Sequence, residues 1–261
     1  MIDTHCHLDF PEFDADRDQV VHQCLSRGVK RIIVPGVTAA SWPRLHSIVQ
    51  RYEFCEGAYG MHPLFMNDHS LEHLDLLNET LQDYDACAVG EIGLDYYLPN
   101  HDREAQARLL AGQLQLAKQH RLPVILHIRK AHEDALSMLK QFKLDAGGSV
   151  HAFNGSYEQA QRYMDLGFKF GFGGAVTYDA ATKLRRTLKN LPDDSLLLET
   201  DAPDMAPAMY PSKRNNPAYL PDILAVIAEI RETDPMELVR ITDRNAEQLF
   251  LHTSELRNHQ V

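Results

Sequence analysis

The amino-acid sequence predicts an α/β fold, a single (β/α)8 barrel of the TIM type. Short apolar runs rich in β-branched residues alternate with longer amphipathic stretches along the chain of 261 residues. This alternation is typical of right-handed βαβ units that build a parallel sheet. Eight such runs, each followed by a helical pattern, are the number that closes a barrel. An open doubly wound sheet is the competing interpretation, but it would gather ligand-binding residues at one switch point, whereas here polar residues follow many strands.

The predicted elements follow one another in the order that a barrel requires. The predicted strands are Met1–His5, Arg31–Pro35, Glu56–Gly60, Ala86–Glu91, Pro123–His127, Ser149–Ala152, Lys169–Gly173 and Ser195–Glu199. The predicted helices are Asp16–Arg27, Ser41–Tyr52, Leu71–Tyr84, Asp102–His120, Ala131–Phe142, Tyr157–Leu166, Ala180–Asn190, Tyr219–Glu232 and Pro235–Phe250. Asp234 precedes Pro235 and is expected to cap the last helix, because proline is common at the first helical position.

The chain shows no internal repeat, low-complexity tract or linker, so residues 1–261 are predicted to form one domain. The four cysteines, Cys6, Cys24, Cys55 and Cys87, include no CxxC pair, which is typical of reduced thiols in a cytosolic protein. The N-terminus lacks the pattern of a signal peptide, and no apolar run approaches the roughly 18 residues of a membrane span. We therefore expect a soluble cytoplasmic protein with no membrane association and no evident obligate protein partner.

The overall charge limits the kinds of partner that the chain can attract. Its formal net charge is −11 at pH 7. Proteins that bind nucleic acid non-specifically usually carry a basic face that neutralises phosphates. The sequence has no such global signal, so a polynucleotide substrate would be attracted locally, by bound metal and a few arginines and lysines.

Two histidines near the N-terminus are the first candidates for metal ligands. His5 and His7 lie two residues apart on the first predicted strand, so their side chains point to the same face and can reach one ion. Cys6 between them points the other way, towards the core. An HxH pair on its own is a weak signal, because it often arises by chance.

Further candidate ligands lie at the C-terminal ends of other predicted strands. Glu91 ends the fourth strand, His127 the fifth and His151 the sixth, and Asp201 follows the eighth. In a parallel barrel these ends converge on one mouth, where barrel active sites lie. A single residue of this kind could be a hydrogen-bonded core residue. Four histidines and two carboxylates at five strand ends instead indicate a metal site, because unpaired ionisable groups are costly to bury.

Six ligands exceed what one catalytic ion needs, because such an ion keeps a position open for water. Two divalent ions about 3.5–4 Å apart that share a bridging carboxylate account for all six. Zn²⁺ and Mn²⁺ suit imidazole and carboxylate ligands, and Mg²⁺ is less well served by histidine. Position makes Glu91 the natural bridge, with His5, His7 and Asp201 at one ion and His127 and His151 at the other.

Seven motifs occur in order from the first residues to about Phe250. They are THCHLDF, GMHP (Gly60–Pro63), GEIGLDY, LHIRKA, HAFNGS, LLETDAP and KRNNPAYLP (Lys213–Pro221). As a set they are highly specific and resemble the TatD-type metal-dependent hydrolases, a family of the amidohydrolase superfamily that includes deoxyribonucleases. The resemblance places the family's ligand positions on the six residues named above. It also implies hydrolysis of phosphodiester bonds, which the ligand pattern alone does not.

Two of these motifs depart from the pattern of the family. In HAFNGS, Ala152 and Asn154 stand where the family has a cysteine and a serine. In LHIRKA, Ile128 and Lys130 flank Arg129, where the family pattern has a small residue and an acid around the arginine. The six ligand positions are unchanged, so these departures concern substrate preference rather than metal binding.

The residues around the ligands have candidate roles in binding and catalysis. Asp201 is the candidate general base, which would accept a proton from the attacking water. Arg129 points to the same side as the fifth-strand histidine and is a candidate phosphate clamp, with a rim salt bridge as the alternative. His62 is either a substrate contact or a hydrogen-bonded rim histidine. Lys213, in the long loop Ala202–Pro217, is either a contact to backbone phosphate or a solvated charge.

Three functions are consistent with these residues. The first is a metal-dependent phosphodiesterase that acts on DNA, and the second is a hydrolase of a small ester, lactone or amide. A dinuclear centre serves both, because an activated water attacks phosphorus or carbonyl carbon by similar means. The third is a catalytically silent barrel, which the intact ligand set argues against. The acidic net charge favours the second function, whereas the resemblance and Arg129 favour the first.

Overall fold

Eight parallel strands form a barrel in the computed structural model, which describes residues 1–97 and 102–251. Each strand pairs with the next one along the chain, from the first to the eighth. The first and last strands meet where the Thr4 N–H donates to Leu198 O at 3.0 Å and the Asp201 N–H donates to His5 O at 2.8 Å. The strands are β1 (Ile2–Asp3), β2 (Arg31–Pro35), β3 (Cys55–Tyr59), β4 (Ala86–Asp95), β5 (Val124–Arg129), β6 (Gly148–Val150), β7 (Phe168–Phe172) and β8 (Leu196–Leu198).

Helices alternate with the strands, and two further helices follow the last strand. This arrangement confirms the predicted (β/α)8 barrel. The helices are α1 (Arg17–Ser26), α2 (Trp42–Arg51), α3 (His73–Asp83), α4 (Arg103–His120), α5 (His132–Phe142), α6 (Tyr157–Met164), α7 (Thr182–Asn190), α8 (Leu220–Arg231) and α9 (Pro235–Ala246). The predicted cap of α9 is also confirmed, since Asp234 Oδ1 accepts from the N–H groups of Met236 at 2.9 Å and Glu237 at 3.0 Å.

Alternating side chains along the strands divide the apolar core into two clusters. Ile33 of β2 belongs to an inner cluster with residues of other strands, whereas its neighbours Ile32 and Val34 belong to the cluster that includes the helices. Phe250, just beyond α9, packs into the inner cluster. The inside of the barrel is thus filled by side chains, which leaves the C-terminal ends of the strands to form a site.

The observed strand limits correct four details of the predicted site. β1 ends at Asp3, so His5 and His7 follow the first strand and do not lie on it. β4 continues to Asp95, so Glu91 lies inside the fourth strand and does not end it. β5 continues two residues past His127. β6 ends at Val150, so His151 follows the sixth strand and does not lie on it. The reason at β4 is an irregularity that the pattern of apolar residues does not reveal, a shift in pairing register between β4 and β5 next to Glu91.

All four cysteines are buried and free of disulfide bonds. Among residues 1–97 and 102–251, no helix combines the length and the apolar composition that crossing a membrane requires.

Candidate metal centre at the barrel mouth

Two histidines and two carboxylates form a first group at the mouth of the barrel. The Nε2 atoms of His5 and His7 lie 3.3 Å apart. Asp201 Oδ1 lies 3.5 Å from His5 Nε2 and 3.7 Å from His7 Nε2. Glu91 Oε2 approaches the same nitrogens, at 3.1 Å from His5 Nε2 and 3.5 Å from His7 Nε2. The structure therefore brings together the three residues that were predicted to share one ion, beside the predicted bridge.

The other oxygen of Glu91 faces a second group of histidines. Glu91 Oε1 lies 2.8 Å from His151 Nε2 and 3.2 Å from His127 Nδ1. These two nitrogens are 3.2 Å apart. His62 Nε2 lies 3.0 Å from the same oxygen, although His62 was predicted only as a substrate contact or rim residue. The two oxygens of one carboxylate thus contact two separate sets of imidazole nitrogens.

A shift in strand pairing accounts for the position of Glu91 inside β4. The register between β4 and β5 changes between Val89 and Ile92. The Glu91 N–H donates to Gly36 O beyond β2 at 2.8 Å. Such an irregularity re-aims a side chain without ending the strand. At the other side of the mouth, Asp201 has a φ of 59°, a left-handed conformation that aspartate adopts more readily than most residues.

The spacing of the donor atoms fits divalent cations. Metal–nitrogen bonds of about 2.0–2.1 Å at tetrahedral or octahedral angles place two ligand nitrogens about 2.8–3.4 Å apart. The two histidine pairs, His5 with His7 and His127 with His151, have separations of 3.3 and 3.2 Å. Glu91 Oε1 is buried and has no partner with hydrogen-bond geometry among the described residues. A buried carboxylate oxygen without a partner is costly, and a bound cation would satisfy it.

Burial sets the protonation of the first group. It lowers the pKa of His7 to about 4 and that of His5 well below its usual range. Both imidazoles are therefore neutral at neutral pH, which is the form that binds metal. Burial raises the pKa of Asp201 to about 7.

The histidines around Glu91 favour its charged form. Burial alone would raise the pKa of Glu91, but the imidazoles of His62, His151 and His5 hold it well below its usual range. Burial also opposes a charged His151, yet the Glu91 carboxylate raises the pKa of His151 to about 10. The negative charge of Glu91 therefore favours a cation beside it. A divalent metal ion would interact with the Glu91 carboxylate more strongly than a protonated imidazole does.

Two acids contact the second group, and the first of them is Asp95. Asp95 Oδ2 lies 2.8 Å from His127 Nε2, so Nε2 carries the hydrogen and donates it to Asp95. The other ring nitrogen, Nδ1, therefore keeps a free lone pair on the side that faces Glu91. Gln106 of α4 holds Asp95 in place, since its Oε1 accepts from the Asp95 N–H at 2.8 Å and its Nε2 donates to Asp95 O at 3.0 Å. Gln106 could not be predicted from the sequence, because a glutamine on a helix matches no motif.

Glu199 has a similar position behind His151. Its Oε1 accepts from the Ala152 N–H at 2.6 Å and lies 3.9 Å from His151 Nδ1. Gly171 makes room for it, because a Cβ on Gly171 would overlap the Glu199 carboxylate. Burial raises the pKa of Glu199 to about 8.

A cavity of about 510 Å³ opens at the donor atoms. This volume is within the range of sites that bind small molecules or one unit of a polymer. Five large apolar side chains form much of its wall, namely Phe10, Phe65, Phe153, Phe172 and Met205.

Two of the three predicted substrate contacts line this cavity, and the third does not. Arg129 lines the cavity, and its guanidinium stacks on Tyr97 without a rim salt bridge among the described residues. His62 lines the cavity too; its Nδ1 accepts from the Leu64 N–H at 3.1 Å, so its Nε2 carries the hydrogen in the neutral form. His62 is thereby a hydrogen-bond donor rather than a lone-pair ligand. Lys213 is not among the residues that line the cavity; its Nζ lies 5.7 Å from the Tyr210 ring centroid.

Comparison with known proteins identifies the family. The family described as TatD related DNase matches residues 2–251. The chain belongs to this family. An uncharacterized metal-dependent hydrolase, YjjV of Escherichia coli (strain K12), is 40% identical over 251 residues, with 95% of this chain and 97% of that protein covered. The crystal structure of YjjV superposes with a TM-score of 0.93 over 96% of this chain and 97% of that chain.

A second relative of the TatD-related family has a named activity. The 3'-5' ssDNA/RNA exonuclease TatD of Salmonella typhimurium is 35% identical over 257 residues, with 96% of this chain and 98% of that protein covered. Family membership confirms the prediction of a TatD-type metal-dependent hydrolase. The clustered histidines and acids agree with the use of divalent metal.

Proposed function

We propose that this TatD-related hydrolase is a phosphodiesterase that cleaves single-stranded nucleic acid with two divalent ions per chain. The observation that carries the proposal is the position of Glu91 between two groups of histidines, with one carboxylate oxygen towards each. A carboxylate that contacts two ligand sets is the natural bridge of a dinuclear site. His5, His7 and Asp201 would hold one ion, and His127 and His151 the other. Zn²⁺ and Mn²⁺ suit these ligands better than Mg²⁺.

Such ions supply, when bound, a water of lowered pKa and stabilisation of the charge that develops on a phosphoryl oxygen. The Asp201 carboxylate accepts the proton of the attacking water, because it belongs to the first group and lines the cavity. His62 donates its Nε2 hydrogen to an oxygen of the substrate. Arg129 lines the same cavity and clamps the phosphate with its guanidinium. The apolar wall excludes bulk water, which strengthens each of these contacts.

Nucleic acid as the substrate rests on two lines of support. A relative that is 35% identical over nearly the whole chain carries the name of a 3'-5' ssDNA/RNA exonuclease. In addition, Arg129 lines the cavity without forming a salt bridge among the described residues, which suits a negatively charged substrate. The net charge of −11 counts against a large nucleic-acid surface and agrees with attraction confined to the mouth.

The alternative is hydrolysis of a small apolar ester or lactone. The observation in its favour is the cavity wall, where Phe10, Phe65, Phe153, Phe172 and Met205 contribute apolar surface. The same centre would attack a carbonyl carbon.

A substrate comparison with metal-loaded protein tests the proposal. Single- and double-stranded DNA and RNA, labelled at either end, would be incubated beside a panel of esters and lactones. We expect cleavage of single strands, lost on chelation and restored by Mn²⁺ or Zn²⁺. Turnover of an ester with no cleavage of any nucleic acid would contradict the proposal and favour the alternative.

The variant Asp201→Asn separates chemistry from folding. Asparagine also tolerates the left-handed conformation at this position, so the fold should persist by circular dichroism. We expect kcat to fall by about 10²–10⁴-fold, the usual contribution of a general base. Asp145→Asn, at an exposed position before β6, is the matched control and should keep full activity. Full activity in Asp201→Asn would remove Asp201 from the mechanism.

A further inference from the structure

A basic and aromatic cluster lies beside the mouth, where β4 and β5 end. Tyr97 follows β4, Arg129 is the last residue of β5 and Lys130 comes next. The Arg129 Cζ atom lies 3.6 Å and the Lys130 Nζ atom 4.8 Å from the centroid of the Tyr97 ring. Tyr97 is 50% exposed. We call these three residues the Tyr97 shelf.

The two cations of the Tyr97 shelf are not neutralised by the acids nearest to them in sequence. Glu133 pairs with Arg162 at 2.8 Å, and Asp134 accepts from the Tyr96 hydroxyl at 3.0 Å. Neither Arg129 nor Lys130 forms an ion pair within residues 1–97 and 102–251. In a chain with a net charge of −11, two adjacent cations on an exposed tyrosine are a local concentration of positive charge.

The Tyr97 shelf also connects two concave regions. Arg129 lines the cavity of about 510 Å³ at the metal-binding residues. Lys130 lines a second, open cleft of about 320 Å³, together with Arg103, Gln159 and the acids Glu133 and Asp134. A polymeric substrate that leaves the first cavity over Arg129 would therefore pass Tyr97 and reach this second cleft.

The backbone at Lys130 has a conformation that its side chain does not favour. Its φ is 55°, in the left-handed region that costs energy for residues other than glycine. The resulting bend follows β5 directly, and the ammonium group lies over Tyr97. Glycine would fit this backbone better than lysine, which makes Lys130→Gly a variant that removes the charge without straining the fold.

We infer that the Tyr97 shelf binds the nucleotide next to the scissile phosphodiester in a single strand; this inference rests on the proposed function. A base stacks on the exposed part of Tyr97, and the following phosphate pairs with Lys130. Stacking on an aromatic ring beside cations is the usual way to hold single strands without reading their sequence. The enzyme thereby acts on polymers in preference to isolated phosphodiesters, because only a polymer reaches the shelf.

Kinetics on two substrates test the inference with metal-loaded protein. The first is a ten-nucleotide single strand, and the second is bis(p-nitrophenyl) phosphate, which has no neighbouring nucleotide. Tyr97→Ala should raise KM for the strand about ten-fold and change KM for bis(p-nitrophenyl) phosphate much less, through the lost stacking of Arg129 alone. Tyr97→Phe, which keeps the ring, should resemble the wild type. Equal losses on both substrates, or no loss on the strand, would overturn the inference.

The salt dependence of binding tests the charge of Lys130. The probe is a fluorescent single strand with phosphorothioate linkages, whose binding is followed by anisotropy at several salt concentrations. Lys130→Gly should reduce the slope of log affinity against log salt by about 0.7, the effect of one phosphate contact on a single strand. Lys143→Gly is the matched control, because Lys143 is an exposed lysine with a φ of 53° at the far end of α5. An unchanged slope in Lys130→Gly would contradict the inference.

The outcomes also separate this inference from the function on which it rests. If wild-type protein hydrolyses bis(p-nitrophenyl) phosphate but neither cleaves nor binds the strand, the proposed function fails. If it cleaves the strand and the shelf variants change neither KM nor the salt slope, only the inference about the Tyr97 shelf is wrong.

Discussion

At the scale of single residues, the candidate chemistry depends on which nitrogen of each histidine is free. His7 Nδ1 lies 3.2 Å from Pro35 O, so the hydrogen resides there and Nε2 keeps a lone pair for a metal. His127 has the opposite tautomer, because Asp95 accepts from its Nε2. His62 uses Nδ1 as an acceptor and is left with a donor. The same residue type thus has two different roles, and the backbone and acid partners decide which.

The contact between Asp95 and His127 leads to a prediction about metal affinity. Asp95→Asn keeps the shape of the side chain but removes the charge that fixes the His127 tautomer. We expect metal affinity to fall about 10–100-fold, as is usual for partners of metal-binding histidines. Competition with a fluorescent chelator measures the change. Wild-type affinity in this variant would show that Asp95 does not tune the site.

His132 gives the protein a sensitivity to acid that does not involve the metal centre. Its Nε2 lies 3.1 Å from Asn154 Oδ1 and its Nδ1 3.3 Å from the Tyr163 hydroxyl, and burial lowers its pKa. Below about pH 6.5 the unfolded chain binds a proton at this residue that the folded protein does not, so stability is lost as pH falls.

The variant His132→Gln should remove this contribution. Between pH 7 and 5, urea denaturation should show a smaller loss of unfolding free energy in the variant. The difference is at most about 1.4 kcal/mol per pH unit, the limit for one proton. Identical pH slopes for the two proteins would show that His132 is not responsible.

At the scale of secondary-structure elements, the sequence predicted correctly those limits that depend only on neighbouring residues. β2 begins and ends where the apolar run predicts, and α9 begins after its predicted cap. The limits of β4 were wrong, because a polar glutamate after a glycine looks like a strand end, whereas a register shift keeps Glu91 within the strand. The proximity of the six candidate ligands could be predicted because parallel strands deliver their ends to one mouth.

Contacts between distant residues account for what could not be predicted. Gln106 and the tautomer of His62 depend on neighbours that only the folded chain supplies. Asp3 is another example, since its partner Thr200 is 197 positions away. No spacing rule connects such pairs.

The approach of β7 to β8 provides a prediction at this scale. Gly171 has no room for a side chain, because a Cβ there would overlap the carboxylate of Glu199. Gly171→Ala should therefore displace Glu199 from Ala152 and His151, and lower activity about 10–100-fold. Kinetic assays measure this effect. Gly167→Ala is not a suitable control, because Gly167 has a φ of 82°, at which alanine would strain the backbone. Unchanged activity would mean that Glu199 does not support His151.

At the scale of the whole molecule, the barrel depends on a seam between its first and last strands. Asp3 Oδ1 accepts from the N–H groups of His5 at 3.2 Å and Thr200 at 3.0 Å, and Oδ2 accepts from the Thr200 hydroxyl at 2.6 Å. The same seam positions His5 and Asp201, which belong to one group of candidate metal ligands. Closure of the barrel and formation of the site are therefore one structural event.

Removal of the carboxylate at this seam should destabilise the whole protein. Asp3→Ala leaves two buried backbone N–H groups without acceptors, so we expect a loss of about 3 kcal/mol in unfolding free energy. Thr4→Val is the matched control; it removes one neutral hydrogen bond to Leu198 O in the same seam and should cost about 1 kcal/mol. Urea denaturation measures both. Equal, small losses would show that Asp3 does not hold the seam.

The most direct test of the central claim is anomalous diffraction from crystals of the protein loaded with Mn²⁺ or Zn²⁺. We predict two ions per chain, one on each side of Glu91, with Oε2 and Oε1 contacting different ions. A single ion, or two ions that do not share Glu91, would contradict it.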